Sequence, residues 1–128
     1  MRHVAYRILI VDDSELFRRT AAQLLAARGF EPTGAVADGE AALAAVSGEC
    51  PDGILLDINM PGRDGFAVAA SISSVCPAAI VLTSSDIDDV PSAALKACGA
   101  AAFVPKTELA MTDLEGLFST GRSGPGQD

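Results

Sequence analysis

Four short, uninterrupted aliphatic runs set the terms for any fold this chain can adopt: Ile8 to Val11, Ile54 to Leu56, Ile80 to Leu82 and Ala101 to Val104. A weaker run, Thr33 to Val36, follows Pro32. A strand with one wet face alternates apolar and polar residues. A strand apolar throughout is covered on both faces, as in a parallel sheet lying between helices. The segments between the runs carry the complementary pattern. From Ser14 to Arg28, Phe17, Ala21, Leu24 and Leu25 fall at i, i+4, i+7 and i+8 on one helical face. Asp13 or Ser14 is placed to cap that helix and Gly29 to end it. Glu40 to Ser47 puts Leu43 and Val46 on one side, and Phe66 to Val75 turns Phe66, Ala69, Ile72 and then Val75 inward before Pro77. Val90 to Cys98 has Pro91 in its first turn and stops at Gly99. Thr107 is placed to cap a last helix through Leu114 and Leu117 to Ser119. This β-α alternation predicts an α/β doubly wound parallel sandwich, one domain over residues 1–120, with residues 121–128 as a flexible tail.

Composition narrows the function. The chain has 128 residues, 49% of them hydrophobic, yet only 5% are aromatic and Trp is absent. Ala, Val, Ile and Leu must therefore supply the core. A formal charge of −8 argues against direct nucleic-acid binding, which needs clustered Lys and Arg against phosphate. Cys50, Cys76 and Cys98 are odd in number, widely spaced and free of any CxxC, which predicts buried free thiols in a reducing compartment. His3 is the single histidine, too little for a metal cluster. The apolar run near the N-terminus is short and ends on two acids where a signal peptide would be cleaved, and no stretch is long enough to cross a membrane. The expected location is the cytoplasm.

The residues that follow each aliphatic run carry the chemistry. Asp12 and Asp13 follow Val11; Asp57 follows Leu56, with Asn59 two positions on. Thr83, Ser84 and Ser85 follow Leu82, and Pro105 and Lys106 follow Val104. In a parallel sheet these strand ends share one edge, where open α/β sheets bind their ligands. Two unit charges ~4 Å apart repel by roughly 4 kcal/mol at an effective dielectric of ~20, so three carboxylates call for compensation. Lys106 offsets one charge, and a hard divalent cation offsets more. Mg²⁺ suits a site of few carboxylates because it keeps waters that a phosphate can replace.

The segments "ILIVDDSELFRR", "GILLDINMPGRDGF", "IVLTSS" and "GAAAFVPKTEL" resemble, in order, the signature segments of response-regulator receiver domains of two-component signalling. The resemblance covers roughly residues 6–120. It implies a flavodoxin-like five-stranded sheet of order 2-1-3-4-5, in which the ligand sits at the switch in strand order. It also implies that Asp57 accepts a phosphoryl group from a phosphohistidine of a sensor histidine kinase or phosphotransfer protein. Asp13 would ligate Mg²⁺ directly and Asp12 partly through water, with Asp57 and the Asn59 backbone carbonyl completing the set. Thr83 and Lys106 would grip phosphoryl oxygens, and Phe103 would swing inward as Thr83 moves. The implied output is a switch in the fourth and fifth β-α segments, changing binding to a downstream protein, an output domain or a second copy in a phosphorylation-linked homodimer. "FVPKTEL" is similar to receivers joined to NarL/LuxR-type DNA-binding domains, which fits either a stand-alone receiver or the front part of a longer regulator.

The expected role is thus a switch and not an enzyme with a diffusible substrate. Two alternatives stay open: a pseudo-receiver that binds partners without phosphate, and an Asp-nucleophile phosphatase. The phosphatase would want a second acid two residues after Asp57, where Asn59 stands. "DINMPG" opens like a calcium loop, but Pro61 and Val68 occupy positions where ligands belong. Many receivers follow the lysine with proline through a cis peptide. Here Thr107 follows, and a cis bond before it would cost ~2.5–4 kcal/mol, which argues against one.

Overall fold

A computed structural model describes residues 6–62, 64–87 and 89–121. Its elements run β1 (Arg7–Val11), α1 (Glu15–Ala27), β2 (Glu31–Val36), α2 (Gly39–Gly48), β3 (Gly53–Asp57), α3 (Gly65–Ser73), β4 (Ala79–Ser84), α4 (Ser92–Cys98), β5 (Ala102–Pro105), a 3-10 helix (Lys106–Met111) and α5 (Leu114–Gly121). The five strands are all parallel in the order β2-β1-β3-β4-β5.

Alternation along each strand builds two cores, one per face. Leu9, Val11, Ile54, Leu56, Ile80 and Leu82 pack with Ala42 and Val46 of α2, Val68, Ala69 and Ile72 of α3, and Cys98 of α4. Ile8, Ile10, Leu55 and Val81 pack on the other face with Ala21 and Leu25 of α1 and Leu114 and Phe118 of α5. Both faces being covered is why these strands are aliphatic throughout; each fully buried Ile or Leu contributes roughly 1.5–3 kcal/mol. The weak run is the edge strand β2, whose residues are alternately half-buried and exposed. Pro32, which lacks an N–H, sits there beside a register shift against β1.

Local chemistry sets the helix boundaries. Ser14 caps α1 by accepting from the Phe17 N–H, Asp38 caps α2 and Asp64 caps α3. Phe17 and Leu24 are partly buried while Ala21 and Leu25 are fully so. Val75 departs from expectation: α3 ends at Ser73, and Val75, on the following turn, is 64% exposed. Pro91 is the residue before α4, outside its first turn. The single helix expected from Thr107 to Ser119 is two. Thr107 lies inside the 3-10 helix, Thr112 is extended, and Asp113 accepts from the Gly116 N–H at the start of α5. Gly121, assigned to the tail from sequence, closes α5; the rest of that tail and His3 lie outside the described residues. All described peptide bonds are trans, including that before Thr107.

The expectation of three free thiols is overturned. Cys50 and Cys76 form a disulfide, with Cα atoms 5.8 Å apart, and only Cys98 is free and buried. Spacing in sequence hid this pairing, because the parallel pairing of β3 with β4 brings their preceding loops together. Among the described residues no helix is long and apolar enough to cross a membrane.

One glycine ties the fold to the site. A Cβ on Gly65 would run into the backbone of Ile58, so α3 can begin directly beneath the loop leaving Asp57 only because residue 65 has no side chain. Gly65→Ala is expected to lower stability by roughly 1–3 kcal/mol, read as a lower urea midpoint with an unchanged m-value.

Candidate functional site

The parallel topology delivers the strand ends to one edge. Asp57 closes β3 opposite Thr83 of β4, Asp12 follows β1, and Lys106 follows β5. One carboxylate oxygen from each of Asp12, Asp13 and Asp57 lies within 4.8 Å of the others. Asp12 is fully buried, Asp57 is 4% exposed, and Asp13 faces solvent. The Lys106 ammonium stands 2.8 Å from Asp12 Oδ2 and 3.6 Å from Asp57 Oδ2.

The two buried acids are held from behind. Asp57 Oδ1 accepts from the Asn59 N–H at 3.0 Å, and the Ile58 N–H donates to the Thr83 carbonyl at 3.0 Å. Asp12 Oδ1 accepts from the Ser14 N–H at 2.8 Å, while the Asp12 carbonyl accepts from Arg18 Nη1 at 2.8 Å. Burial raises the Asp57 carboxyl above the usual aspartate range. The Asn59 N–H works against that, the charge of Asp12 reinforces it, Lys106 opposes it, and Asp13 adds a smaller push upward. An acid whose charge costs this much in isolation gains from any cation or covalent change that removes the excess.

Thr83 is fully buried, and its Oγ1 is without a hydrogen-bond partner among the described residues. Such a hydroxyl costs about 1–3 kcal/mol until something accepts from it or donates to it. Phe103 of β5 is half-buried against the α3–α4 core face.

The candidate residues Asp12, Asp13, Asp57, Thr83 and Lys106 are thus brought together at one edge of the sheet. Sequence reasoning gave no site role to four supporting residues, Phe17, Arg18, Ser84 and Asp86. Phe17, read only as a core residue of α1, lies under the Lys106 ammonium at 4.2 Å from its ring centroid. Arg18 secures the Asp12 backbone. Asn59 donates through its side chain to Ser84 Oγ at 2.6 Å and Asp86 Oδ2 at 3.1 Å, and the Asp86 N–H donates to Ser84 Oγ at 3.0 Å. That network links the loops after β3 and β4. The position of Ser84 just past Thr83 was its one visible signal; Asp86 had none.

The donor set fits a hard divalent cation: three carboxylate oxygens, no sulfur and no imidazole. Three comparisons agree on the family. The family model described as "Response regulator receiver domain" matches residues 8–116. A protein-glutamate methylesterase/protein-glutamine glutaminase of Anaeromyxobacter dehalogenans is 35% identical over 94% of this chain, and the transcriptional regulatory protein PdtaR of Mycobacterium tuberculosis is 33% identical over 64%. The chain spans only 37% and 40% of those two proteins. The signal receiver domain of the putative response regulator NarL from Mycobacterium tuberculosis superposes with a TM-score of 0.78 at 30% identity, covering 91% of this chain and 96% of that one. A CheY-like receiver domain from Methylobacillus flagellatus shares the fold with a TM-score of 0.78 at 23% identity, over 93% and 100% of the two chains.

This chain belongs to the response-regulator receiver domains of two-component signal transduction. Members of that family work with histidine kinases and output domains and bind Mg²⁺ at an acidic pocket; this chain has an acidic group, Asp12, Asp13 and Asp57, at its strand ends.

Proposed function

We propose that the chain accepts a phosphoryl group on Asp57 from a phosphohistidine of a sensor histidine kinase or phosphotransfer protein. One observation carries this reading. A nearly buried carboxylate sits beside an ammonium and two further acids, while its register partner Thr83 keeps an unpartnered hydroxyl. Mg²⁺ held by Asp12, Asp13, Asp57 and the Asn59 carbonyl would supply positive charge for the phosphoryl oxygens.

The chain's own residues do the rest. An Asp57 carboxylate oxygen attacks phosphorus, the P–N bond breaks, and its electron pair leaves on the imidazole. Lys106 balances the charge gained and the Thr83 hydroxyl donates to a phosphoryl oxygen. Thr83 moving toward that oxygen opens space for Phe103, now half-buried, to turn inward. The α4–β5 face then changes shape for its partner, whether a downstream protein, an output domain or a second copy. The role is a switch in the cytoplasm, and not an enzyme acting on a diffusible substrate.

Acetyl phosphate with Mg²⁺ tests this by intact mass. Wild type is expected to gain one phosphoryl group and Asp57→Asn none. No gain in either, with an unchanged NMR spectrum on adding beryllium fluoride, would favour a pseudo-receiver. Steady turnover of an outside phosphate ester, lost in Asp57→Asn, would favour a phosphatase.

A further inference from the structure

Just before β3 and β4 the sequence repeats itself: Cys50-Pro51-Asp52-Gly53-Ile54 and Cys76-Pro77-Ala78-Ala79-Ile80. In the parallel pairing Gly53 faces Ala79 and Ile54 faces Ile80. Counting back three residues on each side sets Cys50 opposite Cys76, where the Cα atoms are 5.8 Å apart and the sulfurs are bonded. The bond closes a ring that contains β3, Asp57, the loop after it and α3. It lies at the opposite end of the two strands from Asp57 and Thr83.

We propose that Cys50 and Cys76 form a reversible thiol–disulfide site, opened by small-molecule thiols and closed by small-molecule disulfides. The ring carrying Asp57 thus has a stapled and an open state. The proposal rests on the receiver reading for its compartment: in a cytoplasm, persistent structural disulfides are rare and the disulfides found are chiefly redox-responsive.

The two sulfurs are unequal. Cys50 is half-buried and Cys76 is 3% exposed, packed in the core. An incoming thiolate attacks the Cys50 sulfur, the Cys50–Cys76 bond breaks, and its electron pair leaves on Cys76, which takes up a proton. A second thiol then displaces Cys50 from the mixed disulfide. In sum, the protein disulfide and two small thiols give two protein thiols and one small disulfide.

Opening does not scatter the partners. The Cys50 carbonyl accepts from Arg7 Nη2 at 3.0 Å, and the Arg7 N–H donates to Asp52 Oδ2 at 2.8 Å. The Asp52 N–H donates to the Arg7 carbonyl at 2.8 Å, and the Ala79 N–H donates to the Asp52 carbonyl at 3.1 Å. On the other side the Cys76 N–H donates to the Ile72 carbonyl at 2.9 Å. With both backbones fixed, the thiols stay positioned for an intramolecular closure, which favours re-formation over mixed disulfides.

The test equilibrates the whole chain across a range of reduced-to-oxidised glutathione ratios, alkylates with iodoacetamide and reads intact mass. One alkyl group, on half-buried Cys50, is expected to appear as the buffer becomes reducing, with the native circular dichroism kept; Cys76 and Cys98, both buried, should label only after denaturation. The stapled form is expected to melt about 10 °C above the open one. In oxidised glutathione Cys76→Ser should take one glutathione on Cys50, and Cys50→Ser none. A bond released only when the chain unfolds, or two free thiols persisting in fully oxidised glutathione, would overturn the proposal. So would preferential adduct formation on Cys50→Ser, which would reverse the order of attack. Acetyl phosphate labelling in parallel reports on Asp57 separately: missing phosphate with normal thiol titration would defeat the receiver chemistry and leave this site standing.

Discussion

Lys106→Met is expected to lower the melting temperature of the metal-free protein by about 10 °C, corresponding to roughly 3 kcal/mol. Among the described residues, Lys106 is the cation within ion-pair distance of both Asp12 and Asp57. Asp12 is fully buried, so without the ammonium its charge stays desolvated and loses its counter-ion at 2.8 Å. Removing one partner of a buried pair costs more than the pair itself contributes, because the survivor stays desolvated. Methionine keeps most of the aliphatic stem and much of the contact with the Phe17 ring. The loss therefore reports charge more than packing. Two rescues should follow: Asp12→Asn in the Lys106→Met background, which removes the stranded charge, and addition of Mg²⁺ to the single variant. A shift under about 2 °C by differential scanning calorimetry would mean that the ammonium does not balance these acids.

Asp57→Asn should act in the opposite direction. At neutral pH without metal it is expected to raise the melting temperature by several degrees, for about 1–2 kcal/mol. The sign follows from linkage. Burial raises the Asp57 carboxyl in the folded state above its ordinary value of 3.8. Between the unfolded and folded values the native protein therefore binds more protons than the unfolded chain. Stability falls as pH rises through that window, and the whole cost is present above the folded value. The advantage of Asp57→Asn should thus be largest near neutrality and vanish below the unfolded value. Saturating Mg²⁺ should shrink it as well, by stabilising wild type more than the variant. An advantage that is constant with pH, measured by thermal melts from acid to neutral, would mean that amide packing and not charge is responsible.

Much of this arrangement was legible because two periodicities and one topological rule agreed. Uninterrupted aliphatic runs such as Ile54 to Leu56 require cover on both faces, and the helical spacing of Ala21 and Leu25 provides it. Once the strands are parallel, Asp12, Asp57, Thr83 and Lys106 must share an edge. What escaped depended on distances between loops. The Cys50–Cys76 bond follows from strand register, which the repeated Cys-Pro pair hinted at but spacing alone obscured. The Asn59–Asp86 contact joins two irregular segments with no period to reveal it. Val75 was misplaced because a helical pattern carries no mark of where the helix stops; α3 ends at Ser73, with Ser74 as its C-cap. The break before α5 turned on Asp113 acting as a cap, with Thr112 extended ahead of it.

The edge strand β5 has a consequence for the newly made protein. Asp12 emerges early in synthesis and its counter-charge almost a hundred residues later, just after the strand that joins the sheet at its far side. A ribosome-bound chain that stops short of Lys106 offers Asp12 and Asp57 no such ammonium. The charge balance of the strand-end acids is therefore completed only when the last strand and the residue after it dock on the sheet.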